Sequence, residues 1–103
     1  LEKNTVSTRP EKPLQSRFDL GLRILPNPAR DHWRLHLNLP KTGRLRCLLQ
    51  DAQGRIVHRT DWGEQPEGAR EFSLPATGLP AGVYRLTINL DGIYIETKSV
   101  AKQ

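Results

Sequence analysis

HWRLHLNL, residues 32–39, places Trp33, Leu35, Leu37 and Leu39 on one side of an extended chain and Arg34, His36 and Asn38 on the other. No amphipathic helix of useful length interrupts this period of two, and Gly or Pro punctuation separates one alternating run from the next. After the break at PKTG, RLRCLLQ sets Leu45, Cys47 and Leu49 against Arg44, Arg46 and Leu48. Folding the two runs onto one another as a hairpin brings Leu39 opposite Leu45, Leu37 opposite Cys47 and Leu35 opposite Leu49, with every apolar partner on one side.

RIVHRTD follows a turn at DAQG, and AREFSL follows WGEQPEG, a Gly, Pro and Glu-rich stretch read as a connection. In LPAGVYRLTINLDGIYIETK, residues 79–98, Asp91-Gly92 is a strong two-residue hairpin signal, because both central residues of a type I′ turn need positive φ. That turn predicts Leu90 facing Ile93, Ile88 facing Ile95 and Leu86 facing Thr97, with Tyr84 opening the core-facing series Tyr84, Leu86, Ile88, Leu90. Seven strands are expected, over 20–25, 32–39, 44–50, 55–60, 70–74, 82–90 and 93–101. The fold class is therefore all-β: an immunoglobulin-like antiparallel sandwich of about seven strands.

One core is all that 103 residues support, and the first of them do not join it. LEKNTVSTRPEKPLQSR, residues 1–17, offers only Leu1, Val6 and Leu14 as large apolar side chains, so it is read as a flexible linker, with the sandwich domain spanning 18–103 from near Phe18. No apolar run approaches the roughly 20 residues that a membrane helix needs. The net charge of +5 is spread thinly, too thinly to announce nucleic-acid binding. With no methionine, the chain is expected to be a fragment or a processed product; if the parent is exported, that address lay upstream.

Candidate chemistry is sparse. His32 and His36 stand about 13 Å apart along a strand, too far to share a metal, and His58 is separate. Cys47 falls on the core face, inaccessible as a nucleophile, and a single cysteine allows neither an internal disulfide nor a cysteine zinc site. Asp31, Asp51, Asp61 and Asp91 sit beside turns or strand ends, where short carboxylates bond local amides. No phosphate loop or serine elbow appears, so the chain is expected not to be an enzyme and to carry no cofactor or metal. Arg34, Arg44, Arg46 and His36 are expected to share the outer face of one hairpin, near Arg55 and Arg59. Such a basic face would attract an acidic polysaccharide or serve as a solvated surface that resists edge-to-edge association.

ILPNPARD and GLPAGVY do not read as chemistry. Pro26 and Pro28 flank Asn27, end a strand and force a turn, while Pro80 and Gly82 shape the approach to Val83 and Tyr84. In order, PNPARDHWRLHL, LQDAQGRIV, FSLPATGLPAGVYRLTI and a short final strand ending in lysine resemble the C-terminal sorting domain of the type IX secretion system, over residues 22–102.

The resemblance implies a non-catalytic signal at the end of a secreted cargo. It would carry the cargo across the outer-membrane translocon of Bacteroidota-type bacteria, with shuttle proteins and a surface sortase as partners, and be removed at the cell surface. It carries over Pro26, Asn27 and Pro28, Gly54 and Arg55, Pro80, Gly82, Val83 and Tyr84, and Lys98 and Lys102 as the recognition motif. Family members usually close with a more apolar strand than ETKSVAKQ, so residues 99–103 are expected to add little stability. The competing reading is an immunoglobulin-like accessory module, carbohydrate-binding or spacer, of a secreted enzyme.

Overall fold

The computed structural model describes residues 20–103. Seven strands follow one another: β1 (Arg23–Leu25), β2 (His32–Leu39), β3 (Gly43–Gln50), β4 (Ile56–Gln65), β5 (Gly68–Pro75), β6 (Gly82–Leu90) and β7 (Tyr94–Lys102). They form two antiparallel sheets, ordered β1-β2-β5 and β4-β3-β6-β7, packed face to face as a sandwich. The expected fold class holds. The fourth strand stands beside the third, on the four-stranded sheet, rather than with the first, second and fifth as in constant-type immunoglobulin domains. Residues 1–17, read as the linker, and Phe18 lie outside the described residues.

The alternation expected for β2, β3 and β6 is the observed burial pattern. Trp33, Leu35, Leu37 and Leu39 from β2, Leu45, Cys47 and Leu49 from β3, and Tyr84, Leu86, Ile88 and Leu90 from β6 are all buried. No polar or charged residue is buried as a whole among the described residues, so the core gains its apolar transfer energy at little cost in polar desolvation, although Arg70 Nε is buried without a partner. Burial alone pushes the Cys47 thiol up to about 12, which keeps it an unreactive neutral packing group. On the side where β4 and β5 are the outermost strands, Trp62 and Phe72 stack with ring centres 4.2 Å apart and close the sandwich.

β2 and β3 do not form a hairpin. β2 pairs with β1 and β5, and β3 pairs with β4 and β6, so both edges of each are occupied and the chain crosses from one sheet to the other through 40–42. The apolar faces of the two strands look at each other across the core instead of lying side by side. The same correction divides the expected basic face. Arg34 and His36 lie on the three-stranded sheet, both against Glu71, at 3.1 and 4.0 Å, whereas Arg44 and Arg46 lie on the other sheet beside Asp61.

Three further boundaries differ. The first strand is shorter than 20–25, because Gly21 takes φ +63° and breaks the ladder; Leu20 and Leu22 remain buried, their amides held by Glu96 Oε1 on β7 at 3.0 and 3.4 Å. β4 runs through WGEQ to Gln65, past a register shift at which Asp61 Oδ1 accepts from the Gly63 amide at 2.9 Å, and Gly63 has φ +74°. The final hairpin has the positive φ values foreseen at Asp91 and Gly92, +57° and +71°, but its ladder pairs Leu90 with Tyr94, Ile88 with Glu96 and Thr87 with Thr97. Ile93 joins the loop. This one-residue slip turns Tyr94 and Val100 toward the core and leaves Ile93 and Ile95 55% and 45% exposed. It also sets Arg85 opposite Ser99.

The crossing between sheets is pinned from a distance. Asp91 Oδ1 accepts from the Arg44 amide at 2.8 Å, the Asp91 amide donates to the Arg44 carbonyl at 2.9 Å, and Lys41 Nζ lies 2.9 Å from Asp91 Oδ2. The carboxylate expected to serve its own turn thus serves another. A Cβ at Gly43 would collide with the Asp91 carboxylate. Gly43→Ala is accordingly expected to displace that carboxylate from both partners and cost roughly 1–3 kcal/mol, read as a lowered urea midpoint.

The Arg44 amide first, and Lys41 second, hold the Asp91 carboxyl below its ordinary range. A depressed carboxylate contributes stability that is complete above its unfolded value, near 4, and is lost as pH falls through the folded one. Urea midpoints of Asp91→Asn should therefore vary less than wild type below about pH 4.

Candidate functional site

Pro26, Asn27 and Pro28 follow β1 directly, and both the Leu25–Pro26 and Asn27–Pro28 peptide bonds are cis. This turn closes on the end of the chain. Asn27 Oδ1 accepts from the Ala101 amide at 2.8 Å; the Ala29 amide donates to the Ala101 carbonyl at 2.9 Å, and the Gln103 amide to the Ala29 carbonyl at 2.8 Å. Ala29 and Lys102 form a parallel bridge. The indole Nε1 of Trp33, a fully buried ring, donates to the same Ala101 carbonyl at 3.2 Å.

GLPAGVY forms the neighbouring piece. The Tyr84 hydroxyl reaches back to the Pro80 carbonyl at 2.5 Å, and its ring meets Trp33 edge-on, centres 6.3 Å apart at 63°. A tyrosine near the start of the sixth strand, bonded to backbone a few residues upstream, is the tyrosine corner of immunoglobulin-like sandwiches. Gly82, at φ +155°, lies opposite Lys102, Val83 opposite Ala101 and Tyr84 opposite Val100. β6 therefore joins the turn at Asn27 to the terminus.

The DAQGR turn completes the group. Asp51 Oδ1 accepts from the Gln53 and Arg55 amides at 3.0 and 2.9 Å, and Asp51 Oδ2 from Arg55 Nε at 2.8 Å. The Arg55 amide first, with the guanidinium beside it, keeps the Asp51 carboxyl below its usual range. Gln50 Nε2 donates to the Gly54 carbonyl at 3.0 Å. Two clefts flank the turn, one of about 320 Å³ that includes Gly54, Arg85 and Ser99, the other of about 360 Å³ that includes Arg55, Val57 and Pro80. Val83, 60% exposed, borders both.

The structure thus brings together the sequence-derived residues Pro26, Asn27, Pro28, Gly54, Arg55, Pro80, Gly82, Val83, Tyr84 and Lys102 at one end of the sandwich. Lys98 does not join them, since it lies mid-strand opposite Leu86. Sequence reasoning missed Ala29, Trp33 and Ala101 as members of this end; backbone groups make most of their contacts, and an alanine carries no local signal. Residues 99–103, expected to add little stability, are built into the fold more firmly than that: Val100 is 1% exposed, and Ala101 takes three of the bonds that close this end.

Chemically, the end offers surface. Its one carboxylate with a lowered pKa is spent on its own turn, its tyrosine hydroxyl on a carbonyl, and no cluster of three potential metal ligands occurs among the described residues. What faces solvent is Val83 between two clefts, with Arg55 and Arg85 alongside.

No curated protein matches the chain. The family described as the secretion system C-terminal sorting domain matches residues 23–102, from the first residue of β1 to the last of β7. The turn at 26–29, the tyrosine corner and the terminal strand that it locks all fall inside that span, and the chain belongs to this family, the C-terminal sorting domains of type IX secretion.

Proposed function

We propose that this domain directs an upstream cargo through the outer-membrane translocon of type IX secretion, and that its carrier reads the end of the sandwich where 26–29, 51–55, 80–84 and the terminus converge. Membership of the sorting-domain family supports the sorting role itself, a non-catalytic signal whose cargo is secreted or held at the cell surface. The observation that carries the finer reading is the exposed Val83 between two clefts, framed by the residues that the family resemblance singles out. The domain passes through the periplasm with its cargo, and residues 1–17, polar and proline-punctuated, are where it is cut away by a surface sortase.

The test fuses the 103-residue chain to the C-terminus of a periplasm-directed reporter in a host with type IX secretion. The reporter should reach the surface or medium, and mass spectrometry should place its new C-terminus before Phe18. Retention in the periplasm with the fused domain folded would show an accessory module instead. Val83→Asp separates signal from fold: an exposed substitution of this kind changes stability by less than about 1 kcal/mol, so the thermal midpoint should hold while export falls. Full export of the folded variant would place the recognised surface elsewhere.

A further inference from the structure

The outer face of the four-stranded sheet is a second surface, which adjoins the end just described and shares Arg85 with it. Leu48 is turned outward and half-buried on β3, and the ladders set Arg59 of β4 on one side of it and Thr87 of β6 on the other. Arg85 lies two residues before Thr87, on the same face. An open cleft of about 550 Å³ lies here; Leu48 and Thr87 line it with Ile56, which is 45% exposed, and with Arg46 and Arg59.

Charge on this face is unbalanced. Its acids, Asp61 and Glu64, stand beside Arg44 and Arg46, and Asp61 already accepts from Arg44 Nη2 at 2.6 Å and from the Gly63 amide at 2.9 Å. Arg46 reaches Asp61 only at 3.9 Å. The side chains of Arg59 and Arg85 have no ion-pair or hydrogen-bond partner among the described residues. A second copy of the chain is a poor occupant, because it would bring a protein of net charge +5 against an arginine-rich face. A polysaccharide would meet the charges and leave Leu48 and Ile56 unmatched.

We propose that this face docks an acidic polypeptide segment with interspersed apolar residues, its carboxylates on Arg46, Arg59 and Arg85 and an apolar side chain in the cleft between Leu48 and Ile56. The inference does not depend on the sorting role. Rim charges of this kind govern encounter and salt dependence, while the apolar contact supplies buried area.

Fluorescence anisotropy with the 103-residue chain and a labelled peptide of alternating Glu and Leu tests it. Binding should be at least roughly tenfold tighter than to the same peptide with Gln for Glu, or with Ser for Leu. It should weaken sharply at about 1 M salt, where the screening length is roughly 3 Å. Arg59→Glu with Arg85→Glu should lower affinity by about tenfold or more with the thermal midpoint retained, and the paired Gln substitutions serve if the reversed chain does not fold. Absence of binding at about 1 mM peptide, or affinity untouched by the folded double variant, overturns the proposal. Equal binding of the Ser-containing peptide, displaced by heparin, would replace it with an acidic polysaccharide site.

Discussion

Tyr84→Ala is expected to destabilise the domain by roughly 3–5 kcal/mol, the range for truncating a buried aromatic ring. The ring is 5% exposed, lies edge-on to Trp33 and anchors the Pro80 carbonyl through its hydroxyl. Three losses coincide: apolar burial, an aromatic pair and the bond that closes the tyrosine corner. Tyr84→Phe removes only the last and should cost about 1 kcal/mol, since net hydrogen-bond contributions are of that size. For a domain of this length each kcal/mol moves the thermal midpoint by about 4–8 °C, so the alanine variant should melt at least roughly 12 °C below wild type. Urea denaturation of both variants decides the matter. An alanine variant within about 1 kcal/mol of wild type would mean that the corner carries no structural weight.

Removal of residues 100–103 should be comparably severe. Val100 is buried at 1% exposure, and its loss alone forfeits roughly 1.5–3 kcal/mol of apolar transfer. The Ala101 carbonyl accepts from the Ala29 amide and from the Trp33 indole, and the Ala101 amide donates to Asn27. Deletion strands the indole nitrogen of a fully buried ring, a desolvation penalty of about 1–3 kcal/mol in addition. The combined loss approaches the whole stability of a marginal domain, about 5–15 kcal/mol. Removing Gln103 alone breaks its amide's bond to the Ala29 carbonyl and an exposed bond from Lys102 Nζ to its own carbonyl, and should cost about 1 kcal/mol. A graded series, measured by chemical denaturation, should therefore fall steeply between loss of Gln103 and loss of Val100. A flat series would show that the bonds from Asn27, Ala29 and Trp33 to Ala101 carry no structural weight. Export lost on truncation then reports unfolding, and Val83→Asp becomes the variant that addresses recognition.

Much of the candidate site was legible as phrases. Pro26–Asn27–Pro28 and the run from Pro80 to Tyr84 stand out because proline and glycine constrain backbone strongly enough to be read locally. Their meeting was not legible. Asn27 and Ala101 are 74 residues apart and joined by a side-chain oxygen and a backbone amide; every residue has such an amide, so nothing in sequence marks this one.

What the amino-acid sequence determined by itself is where the chain is extended and where it turns, the ends of β1 and β4 excepted, and which side of β2, β3 and β6 faces inward, because alternation and turn chemistry act over a few neighbouring residues. Tertiary structure alone decided which strands share a sheet. A strand whose apolar residues all face one way is satisfied equally by a neighbour beside it or by a sheet opposite it, and the sandwich chose the second arrangement for β2 and β3. It also decided the last register, where pairing Leu90 with Tyr94 exposes Ile93 and Ile95 but places Val100 in the core and brings Glu96 to the Leu20 amide. Those gains come from contacts between the first and the last of the described residues, and only the assembled fold brings these together.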